Sequence, residues 1–374
     1  MAECIKVLVV DDSALMRKYV TRIFKDCSDI KVVGTAINGH FALLKLKRLN
    51  PDIIILDLEM PQMNGIQFLQ QRSSLNINIP VIILSSHAKK GASITMDALT
   101  LGASDFVLKP VNNIADEIEG VKNALINLVY VYAKPGKQVV TNEISDKYDD
   151  FAKTKTVAAI NELDDFSADK YLAQKNEVSH VKIIAIGIST GGPAALRKII
   201  PAIPAEFPCP ILIVQHMPPG FTNEFANCLN RISPQDVKEA EDGDIIKPGR
   251  ILVAPGDKHM LVETREMAKV VQLSDDGLYS GHKPSVDLLY KSVAENYLNQ
   301  AMAIIMTGMG KDGALHIGDI YRNGGITISQ DKESSTVFGM PRKAIESGVI
   351  QYVVPLDRIS QMMLEFVNKR ENSN

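Results

Sequence analysis

The sequence predicts an α/β protein of two domains joined by a polar tether. Three observations carry that expectation. Short β-branched or aliphatic runs alternate with helix-length stretches through the first third of the chain, and a length of 374 residues exceeds one ordinary core. Further on, a serine flanked by glycines stands between a strand-like run and a helical stretch.

Composition narrows the function classes. A balance of 45% hydrophobic and 23% charged residues is that of a globular chain. The net charge is -3, and no block of basic residues with interleaved aromatics occurs, which disfavours nucleic acid as a partner. No basic recognition helix follows the first domain either. Cys4, Cys27, Cys209 and Cys228 form no C-x-x-C pair, so reduced thiols in a cytoplasmic protein are expected. Neither a signal-like start nor a stretch of membrane-spanning length is present, so no direct membrane insertion is expected.

In the first domain the runs 5–10, 30–35, 53–56, 81–84 and 106–108 are too short for helices, and each precedes a segment of helical length. Five βα units imply a doubly wound parallel sheet, whose functional groups gather at the carboxyl ends of the strands. Asp11, Asp12, Asp57, Ser85 and Lys109 lie there. Converging carboxylates repel one another unless a hard cation is present, and oxygen ligands suit Mg²⁺. Asp57 would accept a phosphoryl group, with Lys109 as a point charge opposite and the Ser85 hydroxyl donating to a phosphoryl oxygen. Lys109 precedes Pro110, which holds its backbone extended. An aspartate at a strand end is often only a helix N-cap. All five residues in the order and places that the chemistry requires argue for the phosphoacceptor site instead.

Val9-Val10-Asp11-Asp12-Ser13, Leu56-Asp57-Leu58-Glu59-Met60-Pro61 with Asn64-Gly65, and Asp105-Phe106-Val107-Leu108-Lys109-Pro110 closely resemble the receiver domain of bacterial response regulators. The resemblance implies a flavodoxin-like, five-stranded parallel sheet over residues 1–132. It also implies that Asp12 and Asp57 ligate Mg²⁺ directly with the backbone carbonyl of Glu59, that Asp11 helps through water, and that Phe106 changes rotamer on activation. A histidine kinase would be the phosphodonor.

Residues 133–180 read as a linker. From 134 to 180 the chain carries 9 acidic and 7 basic residues, and the only periodicity is Val157, Ile160, Leu163 and Phe166. A short docking helix or a transient amphipathic turn would each fit.

The second domain, 181–374, opens with a strand-like run at 181–186 that meets Gly187-Ile188-Ser189-Thr190-Gly191-Gly192-Pro193 and a helical stretch at 194–200. Such a turn presents a serine hydroxyl beside backbone N–H groups; a phosphate-binding loop or a plain tight turn has the same outline. Two later strand ends favour the nucleophile. The run 211–214 leads to His216, and 303–306 leads through Thr307-Gly308-Met309-Gly310-Lys311 to Asp312. Of the histidines, only His216 directly ends an apolar strand; His259 and His282 lie in loop-like contexts, and His40, His87, His180 and His316 read as surface or packing residues. The chain order Ser, His, Asp matches neither the α/β-hydrolases, nor chymotrypsin, nor subtilisin, so a different scaffold is expected.

Residues 181–369 closely resemble the catalytic domain of the chemotaxis receptor methylesterases, the CheB family. The resemblance rests on Gly187-Ile188-Ser189-Thr190-Gly191-Gly192, Gln215-His216-Met217-Pro218-Pro219-Gly220 and Thr307-Gly308-Met309-Gly310-Lys311-Asp312-Gly313. Lys283-Pro284-Ser285-Val286-Asp287 and Phe338-Gly339-Met340-Pro341 agree. It implies an α/β domain with a mainly parallel sheet, and hydrolysis of glutamyl methyl esters on the cytoplasmic domains of methyl-accepting chemoreceptors. Deamidation of receptor glutamines by the same acyl chemistry is implied as well. Ser189, His216 and Asp312 would be catalytic, with the Thr190 and Met309 amides as oxyanion donors and no cofactor for the esterase step. The unphosphorylated receiver would pack over the triad. A binding module with a degenerate site and a phosphorylation-controlled hydrolase of unrelated esters or amides are the competing expectations.

Overall fold

The structure, a computed structural model, describes residues 4–86, 89–110, 115–133, 181–266 and 268–368. Nearly all of the expected tether, with its possible helix, lies outside the described residues.

In the first domain, β1 (Ile5–Val10), β2 (Ile30–Ala36), β3 (Ile53–Asp57), β4 (Val81–Ser85) and β5 (Asp105–Leu108) form a sheet of order β2-β1-β3-β4-β5, parallel throughout. Helices α1 (Ala14–Ile23), α2 (Gly39–Leu49), α3 (Gly65–Ser74), α4 (Lys89–Thr100) and α5 (Ala115–Ala133) connect and cover it. Covering both faces explains why β3 and β4 are buried along their whole length and read as continuous apolar runs. Helices start promptly after strands because polar caps meet their free amides. Ser13 accepts from the Met16 amide, Asn38 from Phe41, and Asn64 forms a reciprocal capping box with Gln67. The functional residues are thereby confined to short turns between strand end and cap.

In the second domain, β6 (Ile183–Ile188), β7 (Ile211–Gln215), β8 (Asp236–Glu239), β9 (Arg250–Val253), β12 (Ala301–Ile305), β13 (Ile326–Gln330) and β14 (Tyr352–Val354) form a sheet of order β14-β13-β12-β6-β7-β9-β8. Every pairing in it is parallel. β10 (His259–Arg265) and β11 (Ala268–Ser274) make a separate antiparallel hairpin. The helices are α6 (Gly192–Ile199), α7 (Phe221–Asn230), α8 (Val286–Tyr297), α9 (Ile317–Arg322), α10 (Met340–Glu346) and α11 (Leu356–Asn368).

Two expectations shift. The strand before the serine runs on through Gly187 to Ile188 rather than stopping at 186, and Gly187 lets α8 close on it: a Cβ there would lie 2.1 Å from Val286 Cγ1. His259, expected in a loop, opens β10 with no exposed surface, because its ring nitrogens are both satisfied internally.

The domains pack directly together. α4 lies against α7, with Arg231 3.9 Å from Asp97 and Arg197 donating to Thr100 Oγ1 at 3.1 Å. Beside them Phe106 and Phe221 stack.

Candidate active site

β12, β6 and β7 are adjacent and parallel, so their carboxyl ends open on one rim, at the place where the strand order reverses. Ser189 follows β6, His216 follows β7, and the loop that reaches Asp312 follows β12. Backbone bonds stitch the three ends together: Ser189 N donates to Thr307 O at 3.0 Å and His216 N to Ile188 O at 3.1 Å. Gln215 Nε2 adds bonds to the Ser189 and His216 carbonyls at 3.0 and 3.1 Å. Gly308 passes so close to the nucleophile that a Cβ on it would stand 2.8 Å from Ser189 Cβ. This approach carries the Met309 backbone to the serine. Neither the Thr190 nor the Met309 amide is taken by a hydrogen bond among the described residues.

His216 Nε2 lies 2.8 Å from Asp312 Oδ2. Asp312 is fully buried at the N-terminus of α8, where it accepts from Ser285 Oγ at 2.8 Å and from the Val286 and Asp287 amides at 2.7 and 3.0 Å. Burial pushes its carboxyl up, but the His216 hydrogen bond and charge, with the two amides, more than offset this and hold it below the ordinary range. An ionised Asp312 assigns the proton to Nε2, leaving the lone pair on Nδ1. Nδ1 is buried and has no hydrogen-bond partner. The structure thus joins His216 to Asp312 and brings Ser189 to the same rim, while no hydrogen bond links the serine to the imidazole.

Several neighbours escape a reading by sequence. His282 stacks on His216 with ring centroids 3.9 Å apart and planes at 9°. Burial, then the charge of His216, pushes the His282 imidazole down to about 4. Asp287 accepts from Ser280 Oγ at 3.0 Å and from the Leu315 and His316 amides at 3.2 and 3.0 Å, and burial raises its carboxyl. The signal for these residues lay beside the Lys283-Pro284-Ser285-Val286-Asp287 run, as polar groups opening an apolar helix.

At the first domain's strand ends, ligand atoms of Asp11, Asp12 and Asp57 lie within 4.8 Å of one another. Lys109 Nζ is 2.8 Å from Asp57 Oδ2 and 3.1 Å from Asp11 Oδ2. The second contact is off hydrogen-bond geometry, so Asp11 Oδ2 stays an unpartnered buried acceptor. Burial pushes the Asp11 carboxyl up, and the charge on Lys109 only partly offsets it. A buried acceptor on one of three converging carboxylates fits a hard divalent cation. Ser85 Oγ pairs with Thr95 Oγ1 at 2.6 Å, while both Ser85 and Ser86 line a small cavity with Asp57 and Glu59.

The receiver-like domain covers the rim. Asn127 Nδ2 stands 3.8 Å from Met309 Sδ, Phe106 stacks on Phe221 just beyond the His216 loop, and the Gly191 amide lies near enough to the Asp105 carboxylate to favour its charged form.

This fold and site define a receiver domain docked on an α/β hydrolytic domain. Family comparisons agree: residues 7–118 match the response regulator receiver domain and residues 184–363 match the CheB methylesterase. A protein-glutamate methylesterase/protein-glutamine glutaminase of Treponema denticola is 49% identical, over 96% of this chain and 97% of its own. One from Treponema pallidum is 43% identical over 94% of each chain. The crystal structure of the Thermotoga maritima CheB methylesterase catalytic domain is 43% identical, covering 50% of this chain and 100% of its own with a TM-score of 0.49. The chain belongs to the protein-glutamate methylesterase/protein-glutamine glutaminase family, the CheB methylesterases. Among the described residues, no helix is long and apolar enough to cross a membrane.

Proposed function

We propose that phosphorylation of Asp57 switches on a serine esterase built from Ser189, His216 and Asp312, which hydrolyses glutamyl methyl esters on chemoreceptor cytoplasmic domains during chemotaxis adaptation. The observation that carries this reading is the buried His216–Asp312 pair, held on a strand end adjacent to that of Ser189. Residues 1–132 act as the switch, 133–180 as the linker and 181–374 as the cytoplasmic enzyme.

In the reaction, His216 Nδ1 takes the proton of Ser189 as Oγ attacks the ester carbonyl, forming a tetrahedral oxyanion. Asp312, fixed by three donors from Ser285, Val286 and Asp287, keeps the proton on Nε2 and stabilises the imidazolium. The free Thr190 and Met309 amides receive the oxyanion, and losing one such donor typically costs about 3 kcal/mol. The imidazolium returns its proton to the departing methoxide, giving methanol. Water then attacks the acyl-serine with His216 again as base, releasing glutamate and Ser189. Glutamine deamidation follows the same course with ammonia leaving. Nothing in this sequence calls for a cofactor.

At the switch, Asp11, Asp12, Asp57 and the Glu59 carbonyl would hold Mg²⁺, which when bound supplies charge neutralisation for an incoming phosphoryl group. A chemotaxis histidine kinase is the phosphodonor. Lys109 bonds to Asp57 and would follow its modification, with Ser85 turning from Thr95 to the phosphoryl oxygen. The contacts at Met309, Gly191 and Phe221 support a docked, inhibited state that phosphorylation shifts toward open.

Methanol release from methylated receptor membranes, with and without a small phosphodonor, tests the reading. Wild type should be stimulated, Asp57→Asn should not, and Ser189→Ala should be silent while Asp57 still takes up phosphate. Methanol from Ser189→Ala at the wild-type rate would sink the nucleophile, and a silent wild type would point to another substrate or a binding module.

A further inference from the structure

The segment from Gly277 to Asp287 bears on both members of the His216–Asp312 pair. Its far end, Ser285 with the Val286 and Asp287 amides, holds Asp312. Its near end is a tight turn in which Tyr279 and His282 exchange backbone bonds of 3.1 and 2.9 Å, across Ser280 at φ 52° and Gly281 at φ 81°. The turn is pinned at three points. Tyr279 Oη lies 2.9 Å from His316 Nε2, and Ser280 Oγ donates to Asp287. Behind it, buried His259 accepts from the Ser285 amide through Nδ1 at 3.1 Å, which makes Nε2 the donor to Gly277 O at 3.0 Å. A residue carried by such a turn has little freedom to move, and His282 is that residue.

We propose that His282 is a positioning residue for the esterase reaction: its ring, stacked face to face on His216, fixes the plane in which Nε2 meets Asp312 and Nδ1 is left without a partner. The inference rests on the triad reading and extends it. The His216 ring has a single hydrogen-bond partner, so one bond to Asp312 leaves it free to turn about that contact. A flat surface 3.9 Å away removes this freedom. The ionisable groups that bear on His282 are His216, beneath it, and Asp312; burial and the His216 charge both disfavour a proton on His282. His282 therefore presents an uncharged face to His216, and the imidazolium that forms in the transition state meets a polarisable ring without a like charge.

The test uses the full chain with phosphodonor and methylated receptor membranes, recording kcat, KM and the pH profile of kcat/KM. His282→Ala should lower kcat roughly 10- to 100-fold with KM little changed, the scale expected for a misplaced catalytic group. The loss should persist across the pH profile of kcat/KM, because the geometry of the ring is what has been disturbed. His282→Phe, which keeps a flat ring, should recover kcat to within about 3-fold. His282→Leu fills the same space without a flat face and should resemble Ala, and it serves should Ala fail to fold. A Leu variant as active as Phe, a loss confined to KM, or a folded Ala variant with the wild-type kcat would each overturn the proposal. Ser189→Ala separates the two readings: if it is silent and the His282 variants behave as wild type, only the positioning role falls, whereas methanol release from it removes the triad as well.

Discussion

Phe106 and Phe221 lie face to face, ring centroids 4.9 Å apart with planes at 9°. One belongs to the edge strand that leads to Lys109, and the other opens α7 a few residues after His216. A change of rotamer at Phe106 would therefore be felt at the end of the His216 loop without any intermediary.

Replacing that contact should release the esterase. Aromatic pairs contribute about 0.5–1.5 kcal/mol beyond their buried area, so Phe106→Ala should shift the docked state toward open by roughly 2- to 10-fold. Methanol release without phosphodonor should rise by that factor. An unchanged basal rate would show that the stack does not hold the inhibited state.

Asp312→Asn should damage chemistry more than folding. The amide would set two N–H groups among Ser285 Oγ, the Val286 and Asp287 amides and His216 Nε2, all of which need an acceptor. We expect kcat to fall roughly 10³- to 10⁴-fold through the wrong imidazole tautomer. Unsatisfied buried donors should lower stability by about 1–3 kcal/mol. Rates with phosphodonor and urea midpoints measure the two separately.

Folding stability should respond to acidity through Asp105. Burial pushes its carboxyl up to about 6, against the opposing bonds from Phe106 N, Tyr132 Oη and Gly191 N. Since the folded value is raised, the neutral acid is the favoured form; its contribution is complete below about pH 4 and lost as pH rises through about 6. The full swing is on the order of 3 kcal/mol. The urea midpoint of wild type should fall relative to Asp105→Asn between pH 4 and 6 and then level off. A constant difference across that window would contradict the buried carboxyl.

Chelation of divalent cations should abolish stimulation by phosphodonor while basal methanol release persists, since the phosphoacceptor cluster and the serine crevice share no ligand. Loss of basal activity on adding EDTA, restored by Mg²⁺, would place a metal in the esterase reaction.

The parallel sheets were legible because strands buried on both faces are written as short unbroken aliphatic runs, as at Ile53–Asp57 and Ile183–Ile188. Strand-end positions of Asp57, Lys109, Ser189 and His216 could be read by the same logic, each polar residue standing where an apolar run stops. His259 was misread because it follows a Gly-Asp-Lys turn, and only the packing against Gly277 and Ser285 buries it.

Order along the chain thus determined the two βα architectures and the inventory of reactive groups, because local periodicity and turn chemistry act over a few residues. Tertiary structure alone decided that β12, β6 and β7 are neighbours, that Asp312 rests on the α8 amides with His282 over His216, and that Asp105 reaches Gly191. Those relationships join residues tens of positions apart, and they depend on how helices close over a sheet and how one domain covers another, which no local pattern records.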